Sequence, residues 1–418
     1  MTEPKMPRAF GRLWSAATVS SLGDGAYLAA LPLFAVALSS DPVVVSLVTV
    51  AALLPYPLLG LVGGALVDRW DRRRTMWLAD AARALLLLVT VVAGAMGLIG
   101  IPALLLLAFL LGVGELFFDT AAQAYLPDLL ARDRTLLRKA NSRLRGASTA
   151  AGQFLGPPAG SFLFSVGRTL PFVVDAVSFV GSALLIRSLP KVPPPPREPG
   201  RSLWADAREG ASYVLRDRVL LGLALRPAVG NFAYAGAEAV LALYARDVLG
   251  LHSVGYGLLL AAEALGGLIG AFLAGPLEKR LGTGTALTVT AVAEVAAMLV
   301  VGFASNGVGV GAAFVLCGCA MAATMVLGWS VRQAIVPARL MGRVGAASRL
   351  VSISAGPVGA VLGGWLASVA GLRAPYLAAA GVLAVMTVVV AGMTSNRRIE
   401  AALAAAAARP SEVSSVDG

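Results

Sequence analysis

The segment Gly63-Gly64-Ala65-Leu66-Val67-Asp68-Arg69-Trp70-Asp71-Arg72-Arg73-Arg74 separates two long apolar runs, Val43 to Val67 and Thr75 to Gly97. The glycine pair lets two helices approach closely, and a tight charged turn follows. Four arginines within residues 69–74 cannot rest in hydrocarbon, so the turn lies in water. An arginine-rich loop between two apolar runs belongs on the cytoplasmic side of a membrane. The rest of the chain is read outward from this turn.

Of 418 residues, 58% are hydrophobic and 14% charged, with a mean hydropathy of +0.80. Soluble domains carry about 25% charged residues, so the composition describes a polytopic membrane protein with the lipid bilayer as its first partner. The net charge of +11 is spread as loop anchors and is not interleaved with aromatics, which excludes nucleic acid as a partner. Cys317 and Cys319 fall inside an apolar run, where residues two apart on a helix point away from each other, so neither a disulfide nor a metal site is expected. His252 stands alone in a loop. With no nucleophile beside a base, no metal cluster and no phosphate loop, enzymatic activity is not expected. Met1 to Gly11 is polar and basic, and the apolar run after it is too long for the core of a cleavable signal.

At about 20 residues per span, twelve helices are expected: 12–38, 43–67, 75–97, 101–124, 141–165, 171–189, 219–245, 254–277, 284–304, 309–332, 344–369 and 374–395. With the N-terminus inside, the cytoplasmic segments hold 28 of the 34 basic residues. The outer loops hold Arg168, Arg246 and Arg373, and Arg83, Arg226 and Arg332 lie within spans. This bias predicts that both termini are cytoplasmic. The proline run 193–196 marks an extended linker, and Leu203 to Tyr213 reads as a short interfacial helix. The division is therefore residues 1–189, a linker 190–218, residues 219–395 and a tail 396–418 ending in a short helix and disorder.

The two halves repeat. Gly23-Asp24-x-Ala26-Tyr27 is echoed by Gly230-Asn231-x-Ala233-Tyr234, 207 residues on. Gly64-x-Leu66-x-x-Arg69 is echoed by Gly275-x-Leu277-x-x-Arg280 at 211, and Gln123-x-x-x-Pro127 by Gln333-x-x-x-Pro337 at 210. Arg145, Gly160 and Pro171 return as Arg349, Gly364 and Pro375 at 204. Four echoes in order at nearly one offset indicate duplicated six-span bundles, with a substrate site between them near mid-membrane.

These motifs resemble the major facilitator superfamily. The Gly64-x-x-x-Asp68-Arg69-x-x-Arg72-Arg73 loop is similar to the family's loop between helices two and three. Asp71 occupies a slot usually held by glycine, a departure seen in the macrolide-efflux-like branch. Gly152-x-x-x-Gly156-Pro157-x-x-Gly160-Ser161 resembles the family's antiporter motif, with Ser161 in place of its last glycine. Gly23-Asp24, Asp80 and Phe118-Asp119 followed by Pro127 complete a likeness to macrolide-efflux and enterobactin-exporter-like members. The resemblance covers residues 10 to 395 and implies an all-α fold of two pseudo-symmetric bundles that export by alternating access. It implies no cofactor beyond protons as the coupling ion, an amphiphilic small molecule as cargo, and action as a monomer. One departure is that no arginine occurs between Ile101 and Ala124, where many proton-coupled exporters carry one.

Charges inside spans are costly, at least about 2.5–3.5 kcal/mol each at the bilayer centre, so they mark water or partners. In the family the first, fourth, seventh and tenth spans line the cavity. The resemblance therefore assigns Asp24, Glu115 and Asp119 to proton handling. Gly112, Glu115, Asp119 and Gln123 recur at three and four residues as one stripe, and Asn231, Tyr234 and Glu238 as another. Tyr27, Gln123, Asn231, Tyr234, Glu238, Glu263, Trp329 and Gln333 are the expected cargo-binding set. Gly64, Asp68, Arg69, Arg72, Arg73, Asp80 and Arg83 form a conformational latch, in which Asp80 and Arg83 at i, i+3 neutralise each other and anchor the loop. Asp175 is read as structural, Arg226 as too far along its helix to meet Glu238, and Glu294 remains without a role. Siderophore or lysophospholipid transport, and a non-transporting sensor, are the alternatives.

Overall fold

Proline and short acidic side chains set many of the helix boundaries. The computed structural model describes residues 6–67, 69–192 and 203–408. Helix α1 (Arg8–Leu38) is followed by α2 (Pro42–Leu53) and α3 (Pro55–Val67), which divide a single apolar run. Asp41 caps α2 by accepting from Val43 N, and Pro55, which has no backbone N–H, accompanies the break at Leu54. Next come α4 (Arg72–Ala95), α5 (Ile101–Leu129), α6 (Arg134–Ser148), a π-helical stretch over Thr149–Leu155, α7 (Gly156–Val166) and α8 (Leu170–Arg187). The second half holds α9 (Leu203–Arg216), α10 (Arg218–Glu238), α11 (Leu241–Asp247), α12 (Ser253–Leu281), α13 (Thr283–Phe303), α14 (Gly307–Ile335), α15 (Ala338–Ala370), α16 (Ala374–Met393) and α17 (Asn396–Ala407).

Among the described residues, ten helices are long and apolar enough to cross a membrane. The fifth and seventh expected spans are interrupted ones. The π-helical stretch splits residues 134–166, whose helical part begins seven residues before the expected 141, and Val240 separates α10 from α11. A helix, α9, is present where an interfacial one is expected, and α17 is a short helix in the expected tail. The proline run and residues beyond 408 lie outside the described residues.

The halves repeat each other's packing. Helix α1 packs on α7 and α8 as α10 packs on α15 and α16. Helix α4 packs on α5 and α8 as α13 packs on α14 and α16, and α2 meets α5 as α12 meets α14. Glycines bring the first of these pairs into backbone contact. A Cβ at Gly25 would drive into Gly152 O, and one at Gly156 would lie 2.7 Å from Gly25 Cα. In the second half, a Cβ at Gly236 would lie 2.9 Å from Gly359 O, and one at Gly363 would lie 2.5 Å from Gly236 Cα.

Between the halves, α2 meets α15 and α7 meets α12. These contacts gather at the end remote from the termini. A Cβ at Gly257, early in α12, would lie 2.5 Å from Ser161 Cβ of α7. Gly364 of α15 lies against Ser46 of α2, and Arg246 donates to Val36 O at 3.0 Å and to Ser40 Oγ at 3.1 Å. Ser161 replaces a glycine in its motif, and Gly257 opposite supplies the room. At the end bearing the termini, the described polar contacts stay within each half. Arg12 binds Ser188, Arg343 binds Glu209, and Asn396 accepts from Gly284 N.

Candidate functional site

Asp24 sits mid-helix on α1, beside the glycine that α7 presses on. Its carboxylate accepts from Arg83 Nη2 at 2.5 Å and lies 3.4 Å from Ser20 Oγ. Arg83 comes from α4. The i, i+3 reading with Asp80 is corrected in one respect: the two do meet, but at 3.8 Å, and the shorter ion pair goes to Asp24. Arg83, expected in the latch group, thus also joins the carboxylate cluster. Its guanidinium lies over the Phe179 ring, 3.9 Å from the centroid, and is buried together with Asp80 and Asp175. An unpaired charge in such a place is far more costly than a paired one, so the pairing fixes how α1 and α4 sit.

Glu115 and Asp119 lie one turn apart on α5, both partly accessible, and the charges of Asp24 and Arg83 act on each. Tyr56 of α3 lies near enough for the charges of both acids to act on it, and the charge of Arg349 of α15 acts on Asp119 across the junction. The three acids expected to handle protons are therefore one cluster. Its walls come from α1, α3, α4 and α5, with α15 opposite. Asp24 keeps a quarter of its side chain accessible, whereas Asp80 and Asp175 behind it keep none.

The expected cargo residues divide. Gln123, Asn231, Glu238, Trp329 and Gln333 are exposed, and Glu263 is half-buried. Glu238 and Glu263 lie close enough for the charge of one to act on the other, and Tyr256 faces both. Asn231 is tied to α15, donating to Ser352 O at 3.0 Å and to Ser352 Oγ at 2.9 Å. Tyr27 is buried, edge-on to Phe172 at 6.0 Å. The Tyr234 hydroxyl accepts from Cys317 Sγ at 3.4 Å.

Sequence reasoning left Glu294 without a role, and the structure supplies a partner. Arg226 Nη2 donates to Glu294 Oε1 at 2.9 Å and to Thr324 Oγ1 at 3.2 Å, joining α10, α13 and α14. A signal existed in the repeat. The 211-residue offset between Gly64 and Gly275 also places Glu294 on Arg83 (294 − 83 = 211).

Of the latch residues, Asp68 lies outside the described residues. Asp71, the departure from glycine, caps α4 by accepting from Arg74 N at 2.9 Å. Arg72 pairs with Asp128 and donates to Ala124 O at 3.1 Å, and Arg73 donates to Leu189 O at 2.8 Å. Arg69 is exposed, and a Cβ at Gly64 would meet nothing within 4 Å. The described contacts of this loop thus hold the first half to itself. The antiporter-motif residues Gly152, Gly156, Pro157 and Gly160 are where α7 and the π-helical stretch rest on α1, and Pro157 O also faces Gly257 of α12.

Residues 13–358 match the profile of the Major Facilitator Superfamily. The chain is 29% identical over 377 residues to the multidrug efflux pump Tap of Mycolicibacterium fortuitum, covering 87% of this chain and 90% of that protein. It is 27% identical over 324 residues to the enterobactin exporter EntS of Citrobacter koseri, covering 73% and 72% respectively. The fold is similar to that of a bacterial homologue of the iron transporter ferroportin in an inward-facing state. That likeness has a TM-score of 0.75 at 18% identity over 94% of this chain and all of the other. The nucleoside transporter NupG is also similar, with a TM-score of 0.69 at 13% identity over 93% of this chain and all of NupG.

Proposed function

The chain belongs to the Major Facilitator Superfamily, a multi-pass membrane transporter with exporters among its relatives, and from that premise we propose that it expels amphiphilic small molecules in exchange for protons. On this reading it acts as a monomer in a bacterial cytoplasmic membrane, with twelve spans and both termini inside. The observation that carries the proposal is the Asp24, Glu115 and Asp119 cluster, partly accessible at mid-helix and facing the junction between the halves. A carboxyl group that alternates between a low-dielectric crevice and water takes up and releases a proton as it does so. The halves meet at the end remote from the termini, so we read this conformation as open toward the cytoplasm. Proton uptake at the cluster and cargo binding near Glu238 and Glu263 then compete for the same rocking motion.

The test is flux of a drug-like amphiphile in proteoliposomes under an imposed pH gradient. Wild type accumulates cargo against its gradient, and Asp24→Asn and Glu115→Gln lose that accumulation. Equal flux in all three without a gradient removes antiport. The EntS relative favours a second reading, a siderophore as cargo, which the same vesicles test by competition.

A further inference from the structure

Asp80 on α4 and Asp175 on α8 are sealed behind the crevice acids, and the exchange above does not use them. Neither Asp80 oxygen has a hydrogen-bond partner, and Asp175 Oδ2 has none. Ser182 Oγ and Tyr27 Oη, both buried, are also unpartnered. Buried polar atoms left this way cost stability, and Ser182 is the neutral donor that acts on Asp80. Arg83 stands between them and the crevice. While Nη2 binds Asp24 Oδ1 at 2.5 Å, Nη1 lies 3.8 Å from Asp80 Oδ1, Asp175 acts on the same guanidinium, and Nε is unpartnered. Phe179 gives the group a flat apolar support at 3.9 Å. The stem runs past Gly114, where a Cβ would lie 2.6 Å from Arg83 Cγ, so glycine there keeps the slot open.

We propose that Arg83 is a counter-ion with two seats, holding Asp24 while that carboxylate is ionised and passing to Asp80 and Asp175 when Asp24 takes a proton. The inference rests on the reading that Asp24 exchanges protons. One proton is added: it bonds to an Asp24 oxygen as that oxygen releases its Arg83 hydrogen bond, and the guanidinium keeps all of its own protons. The shift loosens the tie between α1 and α4 and tightens the one between α4 and α8. Because α4 begins at the capped Asp71 loop, the state of the crevice acid is carried to that loop. The other groups facing Asp24 are Glu115 and Asp119 from α5, Asp175 from α8 and Tyr27 on its own helix, and α7 brings no titratable group. Arg349 and Tyr56 act on the α5 acids.

The experiment is an infrared pH titration of the carboxyl C=O band in the purified full-length protein without cargo. The band missing in Asp24→Asn is that of Asp24. Asp80→Asn removes a seat, so protonated Asp24 loses support and its midpoint falls by about one pH unit. In an Arg83→Gln background the same substitution lowers the midpoint by less, since charge repulsion alone remains and no guanidinium is left to move. Asp175→Asn is the second variant should Asp80→Asn not fold, and Arg83→Met replaces Arg83→Gln in the same event. An equal fall in both backgrounds is plain charge repulsion and overturns the two-seat proposal while leaving proton export standing. Absence of any titrating Asp24 band overturns both. Flux that ignores the pH gradient, with the Arg83-dependent shift intact, overturns the export reading alone.

Discussion

Arg83 and Glu294 occupy one position of the internal repeat, 211 residues apart (294 − 83), and carry opposite charges. Each lies on the third helix of its half and pairs with the first, Arg83 with Asp24 at 2.5 Å and Glu294 with Arg226 at 2.9 Å. The two ties have opposite polarity, and only their third-helix ends are equivalent, since the repeat places Asn231 and not Arg226 opposite Asp24. In the first half the acid is on the crevice helix, with 25% of its side chain accessible. In the second half the acid is on the peripheral helix, with 6% accessible. Only the first pair therefore has a carboxylate that is partly accessible, and on the proposed export reading exchange falls to Asp24 while Glu294 is a structural tie.

That asymmetry predicts unequal responses to substitution. Arg226→Gln strands Glu294 in a buried site and lowers stability by about 3–5 kcal/mol. The loss appears as a fall in the unfolding temperature of the detergent-purified protein. The double variant Arg226→Gln with Glu294→Gln recovers most of it. A double variant as unstable as the single would show that the pair does not carry the cost.

Gly64 faces open space, and so does Gly275, its counterpart 211 residues on (275 − 64). Neither glycine is needed for packing in this conformation. Gly64→Val therefore leaves stability within about 0.5 kcal/mol of wild type, the range for substitutions that touch nothing, seen as a nearly unchanged unfolding temperature. On the latch reading its transport is nonetheless lost, because the alternate conformation would bring α15, the eleventh expected span, against this face. Disulfide cross-linking between cysteines placed at Gly64 and on α15 in both states reads the same approach. Wild-type transport by Gly64→Val contradicts the latch.

The clasp formed by Arg246 behaves differently from the crevice. Its hydrogen bond to Asp247 pushes the guanidinium further up from an already high value, against a smaller opposing effect of burial. A raised value gives a contribution that is present below it and fades only as pH rises through it. The clasp therefore keeps its charge across the whole working range. Closure at this end is expected to be independent of pH from about 5 to 9. Arg246→Ala frees Val36 O and Ser40 Oγ and raises labelling of a cysteine at Glu238 by an impermeant reagent. Unchanged labelling would place the seal elsewhere.

Much of this was legible in the chain. The Gly64–Arg74 turn, the echoes around Asp24 and Asn231, and the Gly152–Gly160 motif gave the two bundles and the helix that presses on α1, because periodicity and loop charge are local signals. Pairing between helices was less visible. Asp80 at i−3 suggested a self-contained partner for Arg83, yet the guanidinium reaches across to Asp24, and sequence separation gives no hint of that choice. Glu294 looked stranded because its partner lies 68 residues away on α10. Asp71 read as a departure from glycine that marks a branch of the family, and its role as the cap of α4 lies in backbone geometry that the motif does not display. Tyr27 and Tyr234, read as cargo contacts, face Phe172 and Cys317, and aromatic residues serve packing and binding equally well, so spacing does not separate the two.

The most direct test of the account follows protons and cargo together in one population of vesicles. Wild-type protein is reconstituted with an internal pH dye, and an amphiphilic cargo is allowed to run down its gradient. The account predicts an opposing proton flux that starts with the cargo flux and disappears in Asp24→Asn. Cargo movement with no proton movement, equal in wild type and Asp24→Asn, would contradict it.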